Sequence, residues 1–313
     1  MEVPHPHYDK LIAAARQAGP ATVAVAHPCD RNALEGALDA ANMGIIKPIL
    51  VGPQSRIRQA ADAAHLDISE LPLIDTEHSH ASAARAVELV HEGHASALMK
   101  GSLHTDELMG AVVATATGLR TSRRLSHCFV MDIPGRAEPL IITDAAVNIT
   151  PTLIEKVDIV QNAIDLAQVL RFDPVKVAIL AAVETVNPKM PSTIDAAALC
   201  KMADRGQITG ALLDGPLAMD NAIDREAAAI KHLVSPVAGQ ANVLVAPDLE
   251  AGNMLAKSLT FMAGASAAGI VLGARVPVIL TSRADTVQAR LASCAVAVLV
   301  AHSKLSGSRI LGS

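Results

Sequence analysis

Short apolar runs alternate with longer stretches of helical length along almost the whole chain. Residues 22–26, 48–51, 71–74, 97–99, 128–131, 140–143, 177–182, 211–213, 243–246, 269–272 and 276–280 read as strands. Many are apolar throughout rather than alternating, as expected of strands covered on both faces. Between them, 32–43, 80–92, 105–117, 152–170, 192–205, 224–232, 250–264 and 286–300 read as helices. Thr150-Pro151-Thr152 before Glu155 is a helix entry with proline near the first turn. This rhythm predicts an α/β fold with mostly parallel sheets, helices on both faces and right-handed crossovers. The 313 residues suit two α/β/α domains with a substrate cleft between them.

Composition narrows the function. One Tyr, three Phe and no Trp leave an aliphatic core and few platforms for stacking bases. With 26 basic and 31 acidic residues, no cationic excess is available for a nucleic-acid backbone. The uncharged run 258–274 falls short of a membrane span and is broken by three glycines. The first residues lack the basic and apolar regions of a signal peptide. Cys29, Cys128, Cys200 and Cys294 are scattered singly, which fits a reducing, cytoplasmic setting. Neither a membrane nor a nucleic acid is expected as a partner.

Several familiar motifs are missing: no GxGxxG, no GxxxxGK[ST] and no GxSxG. His78, His80, His91 and His94 cluster locally, but His91-Glu92-Gly93-His94 lacks the HExxH register. Ordinary surface histidines are the stronger reading, and no metal is expected. Cys29, just after His27 at the end of the first strand, reads as a packed thiol rather than a reactive one.

Polar turns follow several strands, at the carboxyl ends where open α/β sheets bind ligands. Lys100-Gly101-Ser102-Leu103-His104-Thr105-Asp106 offers a cation, a glycine that allows close backbone approach, and Thr105 as a helix cap. Arg120-Thr121-Ser122-Arg123-Arg124 offers forks for a polyanion, or merely a solvated loop. Asp248, Glu250 and Asn253 follow the strand at 243–246, either to position substrate or to cap a helix. Asp214-Gly215-Pro216 and Asp220-Asn221 are similar. Thr281-Ser282-Arg283-Ala284-Asp285 presents a hydroxyl, a cation and a carboxylate in one turn, with Asp285 as a helix cap the alternative.

Taken in order, these stretches resemble the phosphotransacylases, the phosphate acetyl/butyryltransferase family. The resemblance rests on Asp214-Gly215-Pro216-Leu217-Ala218-Met219-Asp220-Asn221-Ala222-Ile223, on 237–253 with its Pro247-Asp248-Leu249-Glu250-Ala251-Gly252-Asn253, and on Ser282-Arg283-Ala284-Asp285. The Gly215–Ala222 form, Glu250, Gly118-Leu119-Arg120-Thr121 and Leu125-Ser126-His127 are more similar to the butyryl branch than to the acetyl branch.

The resemblance implies reversible transfer of an acyl group: acyl-CoA plus inorganic phosphate gives acyl phosphate plus CoA. Coenzyme A is then a substrate, with no permanently bound cofactor, and the expected assembly is a homodimer. It also implies a discontinuous first domain, 1–138 plus 275–313, around a second at 139–274. By resemblance Ser282 donates a hydrogen bond in the transition state and Arg283 holds phosphate. Acetyl-branch enzymes carry an Asp seven positions after that Ser; here Ala289 stands there, and Asp285 is nominated as the base. Lys100 and Thr105 are assigned to phosphate, Arg123 and Arg124 to the CoA phosphates, and Gly101, His104, Asp248, Glu250 and Asn253 to substrate. Two other classes compete: an isocitrate/isopropylmalate-type dehydrogenase with the same domain shape, and a non-catalytic sensor of CoA or acyl phosphate.

Overall fold

The computed structural model describes residues 5–281 and 285–305. Two compact units form: Tyr8–Arg123 with the described residues from Ala268 onward, and Arg124–Ala267 with the described residues up to His7. The units divide at 123/124 and 267/268, whereas the expected cut after residue 138 lies in the turn between two paired strands, 126–132 and 140–143.

In chain order the first unit begins α1 (Pro6–Ala18), β1 (Ala21–Ala26), α2 (Arg31–Asn42), β2 (Ile46–Val51), α3 (Gln54–Ala64), β3 (Leu73–Ile74), α4 (Ser79–His91), β4 (Ala97–Lys100) and α5 (Thr105–Val113). The second unit follows: β5 (Ser126–Asp132), β6 (Leu140–Thr143), α6 (Leu153–Val169), β7 (Lys176–Leu180), α7 (Pro191–Asp204), β8 (Leu212–Leu217), α8 (Met219–Ile223), α9 (Arg225–Ile230), β9 (Val243–Val245) and α10 (Leu249–Ala263). The chain then adds β10 (Ser266–Leu272), β11 (Val278–Ile279) and α11 (Val287–Leu305) to the first unit.

The first unit's strands run in the order β3-β2-β1-β4-β11-β10, all parallel except the β10–β11 pair. Its core is aliphatic: Val23, Ala24, Val25, Leu98, Met99 and Ile279 are wholly buried. The second unit's order is β5-β6-β9-β7-β8, parallel except for the β5–β6 hairpin. Met131, Leu140, Ile142, Ala178 and Leu244 centre its core.

Three helices escape the sequence pattern. In α1 only Ile12 and Ala15 are buried, and in α3 only Ile57 and Ala61, too thin a stripe to read as an amphipathic period. The five-residue α8 precedes α9, where one helix at 224–232 is expected. β8 also continues past the expected 211–213, through Gly215-Pro216 to Leu217. A side chain at Gly215 would come within 2.8 Å of Ile179 and 3.2 Å of Ala196, so only glycine lets β8 lie against β7 and α7.

Candidate active site

In the first unit, the loops at the carboxyl ends of β1 and β4 are laced together by hydrogen bonds. The chain turns at His27 with φ 55°. Its carbonyl accepts hydrogen bonds from Cys29 N (2.9 Å), Ser102 N (2.9 Å) and Ser102 Oγ (2.7 Å). Ser102 Oγ in turn accepts from Cys29 N at 3.1 Å, and Gly101 N donates to Ala26 O at 2.9 Å. A Cβ on Gly101 would lie 2.4 Å from Ala26 O, so glycine is what allows the two loops to meet. Lys100, half-buried at the end of β4, donates from Nζ to Gly101 O at 3.3 Å.

β11 runs parallel to β4, pairing Val278 with Leu98 and Ile279 with Met99. The chain therefore leaves β11 for Thr281 at the edge where β4 delivers Lys100 and Gly101. Ser282 and Arg283 lie outside the described residues. Beyond them, Asp285 is half-buried, and its carbonyl accepts from Arg290 Nη1 at 2.7 Å. The expected helix cap at Asp285 is displaced by one residue: Thr286 Oγ1 accepts from Ala289 N at 3.1 Å, a bond three residues along that caps α11. Ala289 is buried on that helix.

The α5 entry is shifted in the same way. His104, not Thr105, occupies the cap position, and Thr105 is the first helical residue. Glu107 reaches back to His104 N at 2.8 Å, and its other oxygen takes Ser79 Oγ at 2.6 Å and His80 Nε2 at 3.2 Å. The Ser79 bond, then the His104 amide, hold the Glu107 carboxyl below its usual range. One carboxylate thus ties the starts of α4 and α5.

Behind this edge lies a hydrogen-bonded chain whose members are far apart in sequence and carry no shared motif. His27 Nδ1 meets Ser82 Oγ at 3.0 Å, and Ser82 Oγ meets Thr76 Oγ1 at 2.9 Å and donates to His78 O at 2.9 Å. Burial, then Arg56, lowers the His27 imidazole below its ordinary value. Burial raises the Cys29 thiol, which keeps it protonated. The remaining histidines disperse. His91 Nε2 faces Thr117 O and Gly118 O, and His94 faces Glu92. Among the described residues, no three His, Cys, Asp or Glu side chains converge as metal ligands.

The arginine cluster also separates. Arg120 bridges to Ala274, and Arg123 N donates to Thr121 Oγ1 at 3.0 Å. Arg124 belongs to the second unit and is committed there, to Asn148 Oδ1 at 2.5 Å and Glu155 Oε1 at 2.6 Å, with its amide on Asp158.

In the second unit, Asp248 caps α10 by accepting from Ala251 N at 2.8 Å, Asn253 Nδ2 donates to Ala145 O at 3.0 Å, and Glu250 is exposed. A side chain at Gly252 would sit 2.4 Å from Asp144 O, so glycine seats α10 on the turn after β6. The Asp144 carboxylate there accepts from Ala146 N, Val147 N and Asn148 Nδ2. Nearby, His127 is buried against Phe129 with ring centroids 4.4 Å apart, and its Nδ1 has no partner. Burial lowers its imidazole to about 4, so it is neutral at physiological pH. Glu184 accepts from both Lys231 Nζ (2.6 Å) and Asn221 Nδ2.

A family model described as phosphate acetyl/butaryl transferase matches residues 80–298. A phosphate acetyltransferase from Rhizobium meliloti is 64% identical over 94% of this chain and 93% of that protein. A phosphate butyryltransferase from Clostridium beijerinckii is 40% identical over 94% and 98%. Of these two the acetyltransferase is the more similar, so the leaning toward the butyryl branch is not supported. The crystal structure of a branched-chain phosphotransacylase from Enterococcus faecalis V583 matches with TM-score 0.80 at 31% identity, over 90% of this chain and 99% of that one.

Proposed function

This chain belongs to the phosphate acetyl/butyryltransferase family, and on that premise we propose how its own residues serve the reaction. It is a phosphate acyltransferase, moving an acyl group between CoA and inorganic phosphate; the dehydrogenase alternative is not favoured. The 64% identity to an acetyltransferase supports acetyl as the acyl group.

A phosphate oxygen attacks the thioester carbonyl, the carbon–sulfur bond breaks, and CoA leaves as thiolate. In reverse, the thiolate attacks acyl phosphate. Free thiols ionise near 8.5, so nearby donors and cations favour the leaving group. Arg283 and Lys100 hold phosphate, and Ser282 donates a hydrogen bond as charge develops. No covalent acyl-enzyme is needed. Asp285 serves as the base in place of the Asp absent at position 289. With the His104 amide held by Glu107, the start of α5 at Thr105 supplies backbone for the anion, and Arg123 is assigned to the CoA phosphates. Asp248 and Asn253 shape the substrate side of the second unit, with Glu250 exposed beside them.

The observation that carries this reading is the parallel register of β11 on β4, which ends both strands at one edge. The protein is further read as a cytoplasmic homodimer. Four free cysteines fit a reducing compartment, and an exposed stripe of Met254, Phe261 and Met262 on α10 suits self-association. No helix among the described residues is long and apolar enough to cross a membrane. Release of CoA thiol from a panel of acyl-CoAs, with and without phosphate, tests the reading. Binding without turnover supports the sensor instead.

A further inference from the structure

The described part of the β11–α11 connection ends against a buried cation. Arg290 is 6% exposed, in the first turn of α11. Its Nη1 donates to Asp285 O at 2.7 Å, and its Nε is buried with no hydrogen-bond partner. The side chain lies across Gly36 of α2. A Cβ there would come 3.0 Å from Arg290 Cδ, 3.3 Å from Nε and 3.5 Å from Met99 Cε. Met99 directly precedes Lys100. A buried guanidinium left short of partners is costly, and such a group calls for an explanation beyond packing.

We propose that Arg290 is a positioning residue for acyl transfer, fixing the backbone of Asp285 where β11 gives way to α11. This rests on the reading of Asp285 given above. Asp285 is the base in that reading, so freedom at its carbonyl becomes freedom of the carboxylate it carries. A guanidinium suits that role because its planar fork is rigid, always charged, and reaches a carbonyl from a neighbouring helical turn. Gly36 leaves it room by carrying no side chain.

Two substitutions test this from opposite sides. Arg290→Gln removes the cation, and Arg290→Lys restores it in a different shape. Gly36→Ala keeps Arg290 but crowds it from α2, at a helix position where Ala is otherwise the better residue. With acetyl-CoA and phosphate, R290Q is expected to lower kcat at least tenfold while KM for acetyl-CoA stays within threefold. R290K recovers part of the loss, and G36A lowers kcat several-fold. A purely structural role would move the unfolding temperature and leave kcat alone. The inference is overturned if kcat of R290Q and G36A stays within twofold of the parent; should R290Q be insoluble, G36A decides. A parent that releases no CoA refutes the transferase reading instead, and this inference with it.

Discussion

Replacing Gly101 by Ala attacks the join between the β1 and β4 loops. The new Cβ would meet Ala26 O at 2.4 Å, His27 O at 2.6 Å and His27 C at 2.7 Å, all backbone that cannot rotate away. Ordinary contact starts at 3.4 Å, so the loops must part by about 1 Å. Four hydrogen bonds cross or brace that gap: Gly101 N to Ala26 O, Ser102 N and Oγ to His27 O, and Cys29 N to Ser102 Oγ. At a net value of about 1 kcal/mol each, losing half of them costs about 2 kcal/mol. In a chain of this size that lowers the unfolding temperature by roughly 3 °C. A displacement of about 1 Å at reacting groups costs on the order of 100-fold in rate. G101A should therefore keep its fold, melt a few degrees lower, and lose about 100-fold in kcat/KM for phosphate-dependent CoA release. Gly110, in α5, has nothing within 4 Å of an added Cβ, and G110A should retain full activity and melt at or slightly above the parent temperature. A G101A protein with the parent's unfolding temperature and turnover within twofold would refute the reasoning.

Other expectations follow from the same geometry. Burial lowers His127 to about 4 in the folded state, against an ordinary value near 6.5. The unfolded chain therefore binds the proton more readily between these values, and stability must fall as pH drops from about 6.5 to about 4. Denaturant unfolding across that range should show this slope in the parent and lack it in His127→Gln; parallel curves would remove His127 from the account. Ser282→Ala should lower kcat by about 100- to 1,000-fold with KM values near those of the parent, the usual loss for a transition-state donor; steady-state kinetics with kcat unchanged would exclude that role. Asp285→Asn should lower kcat and flatten its pH profile, and an unchanged profile would show that the base lies elsewhere.

The class of fold was legible because wholly apolar strands such as Val23–Val25 and Val243–Val245 have few alternatives to a doubly covered parallel sheet. The helices with few buried side chains were not, since α3 exposes most of its polar surface and leaves little period to read. At the site, the turn residues were visible as types in order, but their partners were not. Arg124 reads as a phosphate ligand until Glu155 and Asn148, distant in sequence, are found holding it. Asp248 reads as catalytic or capping with equal ease, and the Ala251 amide on its side chain supports the cap. His27, Ser82 and Arg290 depend on tertiary contacts between separate helices and loops, and no local spacing announces them. The missing Asp at 289 was legible, whereas the buried cation beside it acquires meaning only through Gly36 and the Asp285 carbonyl.

The proposed reaction exchanges an acyl group between CoA and phosphate at the edge shared by β4 and β11. The most direct measurement follows free thiol after purified protein is mixed with acetyl-CoA, with and without inorganic phosphate, for the parent and for Arg283→Ala. Thiol release should require phosphate, saturate with it, and be nearly abolished in R283A. Release that ignores phosphate, or none from any acyl-CoA, would contradict that reaction.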